Sequence, residues 1–219
     1  MDSSSASFSL LQLFSMGGIF MWPLLVFSIA TVAITIERAI YLLYHNLKLG
    51  DLKEKVEEAI KNGNIAETKE YLSKHTRRRM GARILLALVN YSSHSEHLLE
   101  KAVEAEAMSC IGSLENGFNF LTALGSLSPL TGFLGTVSGM IGAFRSIAEA
   151  VDVNAQIVAN GIYEALITTV FGLIIAIIAM SAHSLFANAV DKFASDVEIV
   201  CSELIVKIGE SRETGKHKG

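Results

Sequence analysis

Charged side chains are absent from three long runs of the chain: Ser3 to Ile36, Asn116 to Phe144 and Ala165 to Val190, of 34, 29 and 26 residues. An α-helix needs roughly 20 apolar residues to cross the hydrocarbon core of a bilayer, so each run is long enough to span it. Between the first two runs the pattern changes. LKEKVEEAIKNGNIAETKEYLSK predicts two short amphipathic helices separated at Asn62-Gly63-Asn64, a turn signal. RRRMGARILLALVNY predicts a third, with Ile84, Leu85, Leu88 and Val89 on one side. From His94 onward, HLLEKAVEAEAMSCIGSLENGFNFLTALG holds good helix formers and no proline, which predicts one unbroken helix entering the second apolar run. After the third run, NAVDKFASDVEIVCSELIVKIGE keeps an apolar residue every three or four positions. That predicts a helical continuation packed on a neighbour, followed by a disordered SRETGKHKG.

The expected fold is therefore an all-α integral membrane protein. Three transmembrane helices are extended by long cytoplasmic helices, with the N-terminus outside. Residues 1–17 form an outer, interfacial lead-in, 18–44 the first span, 45–118 a cytoplasmic helical domain and 119–147 the second span. Residues 148–159 form an outer loop, 160–187 the third span, and 188–219 a cytoplasmic helix and tail. Trp22 near one end of the first span, with Tyr41 and Tyr44 near the other, fits the aromatic belts of a bilayer. No internal repeat is present. The orientation follows from the bases. Sixteen of the 18 Lys and Arg lie between Lys48 and Lys101 or between Lys192 and Lys218. The positive-inside rule places both segments in the cytoplasm. The first span is expected to be kept rather than cleaved as a signal peptide, since no basic stretch precedes it and its apolar run continues to Ile36.

Composition narrows the function classes. Hydrophobic residues are 51% and charged residues 18%, against about 25% charged in ordinary soluble domains. A soluble enzyme, a disordered chain and a disulfide-stapled secreted domain are all excluded. Cys110 and Cys201 both fall in cytoplasmic segments and read as small buried hydrophobes. The six His are scattered without metal-ligand spacing, and no buried nucleophile or phosphate loop is present. No metal, cofactor or catalytic residue is therefore expected, and the chain is not read as an enzyme. The RRRMGAR cluster reads as an anchor near anionic membrane lipid, not as a nucleic-acid site.

The chemistry lies in the spans. SLSPLTGFLGTVSGMIGAF places Gly132, Gly135, Gly139 and Gly142 along one helical stripe, which lets helices approach closely in lipid. These glycines and a stripe running from Gly161 through Ala165, Thr168 and Gly172 to His183 are expected to pack between subunits. Pro129 frees a backbone carbonyl that neighbouring helices or water must satisfy. Glu164 lies near the outer boundary of the third span. A carboxylate there is a functional candidate by default, the alternatives being a pair with Arg145 or a helix cap. Glu37, Arg38 and Arg145 are membrane-boundary charges. At 1.5 Å per residue, Thr136 and Thr169 lie about 4.5 and about 6 Å outward of their span centres, so two hydroxyls reach one level. Read alone, such hydroxyls usually bond back to their own helix.

LFSMGGIFMWPLLVFSIATVAITIERAIYL, SLSPLTGFLGTVSGMIGAF and GIYEALITTVFGL together resemble the three spans of the ExbB/TolQ/MotA proton-channel family, closest to ExbB/TolQ-type proteins. The resemblance rests on Pro-Leu-Leu and Glu-Arg in the first span, Pro129 and Gly135-Thr136-Val137 in the second, and the GIxEAL stretch with a following threonine in the third. It implies a multi-pass protein of the bacterial inner membrane, a homopentamer whose second and third helices line a pore. It also implies an ExbD/TolR-type single-span protein inside that ring. Proton-motive force would then energise a TonB- or TolA-like protein, for outer-membrane import or envelope maintenance. Carried over by motif, Thr136 and Thr169 are the pore-lining hydroxyls and Glu164 the signature glutamate. Thr168 stands beside Thr169 where a small residue is more usual, and the motif leaves both threonines as candidates. The competing reading is a non-conducting three-span scaffold that assembles membrane partners.

The orientation is tested by single cysteines at Ser5, Asn154 and Ser211. The first two are expected to react with an impermeant thiol reagent from outside and the third only after the membrane is opened. Labelling of residue 211 from outside would reverse the topology.

Overall fold

A computed structural model of the chain describes residue 14 and residues 17–62, 64–149 and 155–216. Ser5, Asn154, most of the 1–17 lead-in and the middle of the 148–159 loop lie outside the described residues. The described secondary structure is helical throughout: α1 (Met21–Tyr44), α2 (Gly50–Asn62), α3 (Ile65–His75), α4 (Met80–Tyr91), α5 (Glu96–Glu115), α6 (Phe118–Glu149) and α7 (Ala155–Lys216). By length and composition, three helical stretches can cross a membrane: Met21–Tyr44, Glu96–Glu149 and Val158–Arg212.

The stretch from Glu96 to Glu149 is not one helix. Helix α5 stops at Glu115, Asn116 turns to ψ 133°, and α6 begins at Phe118. Between them Gly117 holds φ +87°, a left-handed backbone that glycine adopts without Cβ strain. Helix formers on both sides concealed a break that an Asn-Gly pair supplies. A second departure is at the tail, where backbone helix continues to Lys216 instead of ending before Ser211.

The chain divides into two compact units, Met1–Ile36 with Gly117–Ser184, and Glu37–Asn116 with Leu185–Gly219. In the first, Met21 and Leu24 of α1 are buried with Ile167 and Ile175 of α7, and Phe27 and Phe171 pack against them. Much of the remaining surface is apolar. Val26, Ile29, Phe120, Phe133, Ile141 and Ile177 are each more than 60% exposed. So continuous a face belongs against lipid or another apolar protein surface.

The second unit is built as a water-facing bundle is built. Helix α4 is its centre, buried at Met80, Ala82, Ile84, Leu85, Leu88 and Val89 and packed against α2, α3 and α5. The stripe expected for this helix is the buried one. Along α7, Val190, Phe193, Val197, Cys201, Leu204 and Ile208 are buried at steps of three and four, which is the predicted packed continuation. Charges rim that packing. Lys207 Nζ lies 2.8 Å from Glu57 Oε1, Lys53 pairs with Glu203, and the Arg212 guanidinium donates to the Ser92 carbonyl.

Hydrogen bonding from Lys207, aided by attraction to Lys53 and Lys61, holds the Glu57 carboxyl below the ordinary glutamate value of 4.5. A depressed folded-state value contributes stability that is present above 4.5 and lost as pH falls through the lowered value. Thermal unfolding is expected to shift downward on acidification below 4.5, and the shift should be smaller in Glu57→Gln. Equal pH dependence in the two proteins would show that the bridge adds nothing.

Candidate functional site

The seam between α6 and α7 brings backbone close to backbone. Its closest approaches are made possible by missing side chains. A Cβ added at Gly132 would stand 2.7 Å from the Thr168 carbonyl oxygen and 3.0 Å from the Thr169 Cα. One added at Gly139 would stand 2.9 Å from the Gly161 oxygen and 3.0 Å from the Ala165 Cβ. At Gly172 it would meet the Ser128 carbonyl at 2.5 Å. The glycine stripe of the second span and the small-residue stripe of the third thus mate with each other inside one chain. They were expected to pack between subunits. Gly135 is part of this seam, against the Thr168 side chain, but Gly142 has nothing within 4 Å. The stripe therefore ends one turn earlier than its spacing suggests.

Hydroxyls on α6 return to their own helix. Ser128 Oγ donates to the Leu124 carbonyl at 2.6 Å, Thr131 to Leu127 at 2.9 Å and Thr136 to Phe133 at 2.7 Å. This is the usual way a hydroxyl is satisfied in an apolar helix. Two on α7, Thr168 and Thr169, cross the seam. Thr168 Oγ1 lies 3.2 Å from the Gly132 carbonyl and 2.7 Å from its own Ala165 carbonyl, and Thr169 Oγ1 lies 3.2 Å from the same Gly132 oxygen. Two side chains of one helix converge on one carbonyl of the other. The two threonines are not equivalent. Thr168 is 1% exposed, filling the space beside Gly135, whereas Thr169 and Thr136 are half-buried and reach the surface of the unit. Thr169 stands level with Gly132, about 6 Å, or one helical turn, from Thr136 along α6, so the two hydroxyls do not share the single level that counting residues from the span centres gave them.

Pro129 sits inside α6 without ending it. It has no N–H for the Gly125 carbonyl. Helix α7 passes close by at this turn, where a Cβ at Gly125 would meet the Met180 side chain at 2.6 Å. At the other end of the seam, Glu164 is half-buried in a cleft of about 270 Å³ lined also by Phe20, Ser138, Gly139, Gly142 and Ser146. Its carboxylate lies against Gly18, whose φ of +65° and lack of Cβ leave it room. The suggested pair with Arg145 does not form, because Arg145 Nε binds Glu149 at 2.8 Å. Glu37 and Arg38 pair with each other, and the Arg38 guanidinium carbon lies 4.9 Å from the Tyr41 ring centroid.

Sequence reasoning found the residues of the seam but missed two of its groups. The Gly132 carbonyl is backbone, which carries no side-chain signal. Gly18 was visible only as half of a Gly-Gly pair. Among the described residues no group of His, Cys, Asp and Glu could hold a metal ion.

Residues 68–199 match the family model described as the MotA/TolQ/ExbB proton channel family. The chain is also similar to an ExbB-like biopolymer transport protein of Synechocystis, 32% identical over 210 residues, covering 89% of this chain and 80% of the relative. It is 28% identical over 179 residues to the biopolymer transport protein ExbB of Pseudomonas putida, covering 78% of this chain and 50% of the relative. Over 85 residues it is 45% identical to the Tol-Pal system protein TolQ of Haemophilus influenzae, covering 37% of each.

The seam sets a sharp contrast between glycines. Gly132→Ala is expected to destabilise the protein by about 1–3 kcal/mol, the usual cost of overpacking, because the new methyl meets backbone that cannot yield. Gly142→Ala should be neutral or slightly stabilising in the helix. Thermal unfolding in detergent checks both, and equal behaviour of the two variants would remove the seam as a constraint.

Proposed function

The chain belongs to the MotA/TolQ/ExbB proton channel family, and from that premise we propose that it is the ring-forming subunit of an inner-membrane motor. Five copies form the ring, by the family resemblance. A single-span partner of the ExbD/TolR type sits inside it, and proton-motive force energises a TonB- or TolA-like protein. The names of the relatives, biopolymer transport protein and Tol-Pal system protein, support biopolymer transport or a Tol-Pal role as the work done.

One observation carries the mechanism. The charge-free run from Asn116 to Phe144 gives α6 no acid or base across its span, and α7 has none between Glu164 and His183. Nineteen helical steps separate those two, about 28 Å at 1.5 Å per residue, too far for direct proton transfer. A proton path needs a titratable group near the midplane, where lipid makes an isolated ion cost several kcal/mol. A hydroxyl can hold water or bind a carboxylate, but it does not titrate at physiological pH. In this reading the missing acid is supplied by the partner helix. Thr136 and Thr169, whose side chains reach the surface of the unit, are where it docks. Thr168 is a packing residue, and Glu164 with Ser138 and Ser146 forms an outer polar cleft that delivers protons towards the ring.

Liposomes containing this protein alone are expected to conduct protons poorly, and adding the single-span partner should confer coupling. Thr136→Val and Thr169→Val should each lower coupled activity at least tenfold while native mass spectrometry still reports the assembled ring. Thr168→Val should instead lower the unfolding temperature. Full activity in both pore variants would favour the non-conducting scaffold, and a monomeric wild type would overturn the ring.

A further inference from the structure

The basic run at residues 77–79 joins α3 to α4, and in the second unit it is fixed at the foot of α1. The Asn46 backbone N–H donates to the Arg78 carbonyl at 3.1 Å, and the Asn46 side-chain oxygen accepts the Lys48 backbone N–H at 3.0 Å. The Arg78 guanidinium carbon lies 5.7 Å from the centroid of the Tyr44 ring, the last residue of α1. The turn itself is closed by the Arg78 and Arg79 N–H groups donating to the His75 carbonyl, at 3.2 and 3.1 Å. Buried Leu72 and Met80 hold it from either side.

Neighbouring bases are neutralised. Arg79 pairs with Asp51, Arg83 lies 2.6 Å from Glu106 and Lys74 lies 2.7 Å from Glu70. Among the described residues, Lys48, Arg77 and Arg78 have no carboxylate partner, and all three are exposed. Asn46 ties the Lys48 and Arg78 backbones together, and Arg77 adjoins Arg78 in the same turn. Beside them the end of α1 presents bare apolar surface, with Leu43 85% and Ile40 62% exposed. Tyr44 at that place is the aromatic expected at a membrane–water boundary.

Cations for a phosphodiester next to apolar side chains for an acyl chain make a pair of features that a lipid satisfies and a soluble phosphate does not. A nucleic acid would use the charges but leave Ile40 and Leu43 uncovered. We propose that Lys48, Arg77 and Arg78 bind the phosphate of an anionic phospholipid and hold the foot of α1 at the bilayer surface. Guanidinium groups suit this role because they offer paired donors to two phosphate oxygens. The inference rests on α1 crossing the membrane and is independent of the proton-coupled reading above.

The test uses the full-length protein in neutral detergent, with lipid binding followed by native mass spectrometry and by thermal shift. The probes are phosphatidylglycerol, phosphatidylcholine, glycerol phosphate and a single-stranded RNA oligonucleotide. Phosphatidylglycerol is expected to bind and stabilise the wild type, and phosphatidylcholine and glycerol phosphate to do neither. Each basic residue at an anionic surface is worth about a fivefold change in affinity, so Arg77→Gln with Arg78→Gln should weaken phosphatidylglycerol binding about 30-fold. Replacing both by lysine should retain most of the binding, and Lys101→Gln on α5 should change nothing. If the double variant does not fold, Arg77→Gln alone, at an exposed side chain, should still give about a fivefold loss. Unchanged phosphatidylglycerol affinity in the glutamine variants would overturn the proposal. So would equal stabilisation by glycerol phosphate, or displacement of the lipid by RNA.

Discussion

Within lipid, no water is available to satisfy a backbone carbonyl or a hydroxyl, and the first unit is organised around that constraint. Its answer is the seam of small residues between α6 and α7. Glycines at positions 132, 139 and 172 bring backbone against backbone, and only at that separation can Thr168 and Thr169 reach the Gly132 carbonyl. The gain is packing and hydrogen bonding, since apolar burial contributes little when the alternative surroundings are lipid. Thr131 and Thr136 of α6 fall back instead on carbonyls of their own helix.

The second unit uses different means, those that hold a bundle together in water. Water makes burial of Leu, Ile and Val favourable, so α4 is surrounded on most of its circumference and the apolar stripe of α7 from Val190 to Ile208 is covered. Glycine seams are not needed there. Carboxylates and ammonium groups such as Glu57 and Lys207 pair at the rim, where both remain partly hydrated. The style changes along the single helix α7, from small residues in the first unit to large apolar ones in the second.

The polar groups of the membrane unit have separate duties under the proposed function. Thr168 spends its hydroxyl and its methyl on the seam. Thr136 and Thr169 keep one side open, which is what a group meant to meet a partner requires. Glu164 sits in a cleft at the end of the seam, accommodated by a glycine that has no Cβ to oppose it. None of these groups supplies a titrating side chain at mid-span, and the need for a second protein follows from that shortage.

Much of this was legible in the sequence. The charge-free runs mark three possible spans because their length is a property of composition alone, and period-3.6 stripes marked the buried faces of α4 and of the end of α7. The family is carried by short motifs around Pro129, Thr136 and Glu164, which survive as strings. Partner choice was not legible. Gly132, Gly135 and Gly139 say that something approaches closely, but not whether it is the same chain or another copy, since spacing along one helix is blind to what faces it. Nor could adjacency tell Thr168 from Thr169. Rotation of 100° about the helix axis buries one and leaves the other half open, and that angle acquires meaning only once α6 is in place. The break at Gly117 and the pairing of Glu164 with Gly18 were decided the same way, by backbone geometry and contacts that tertiary packing alone creates.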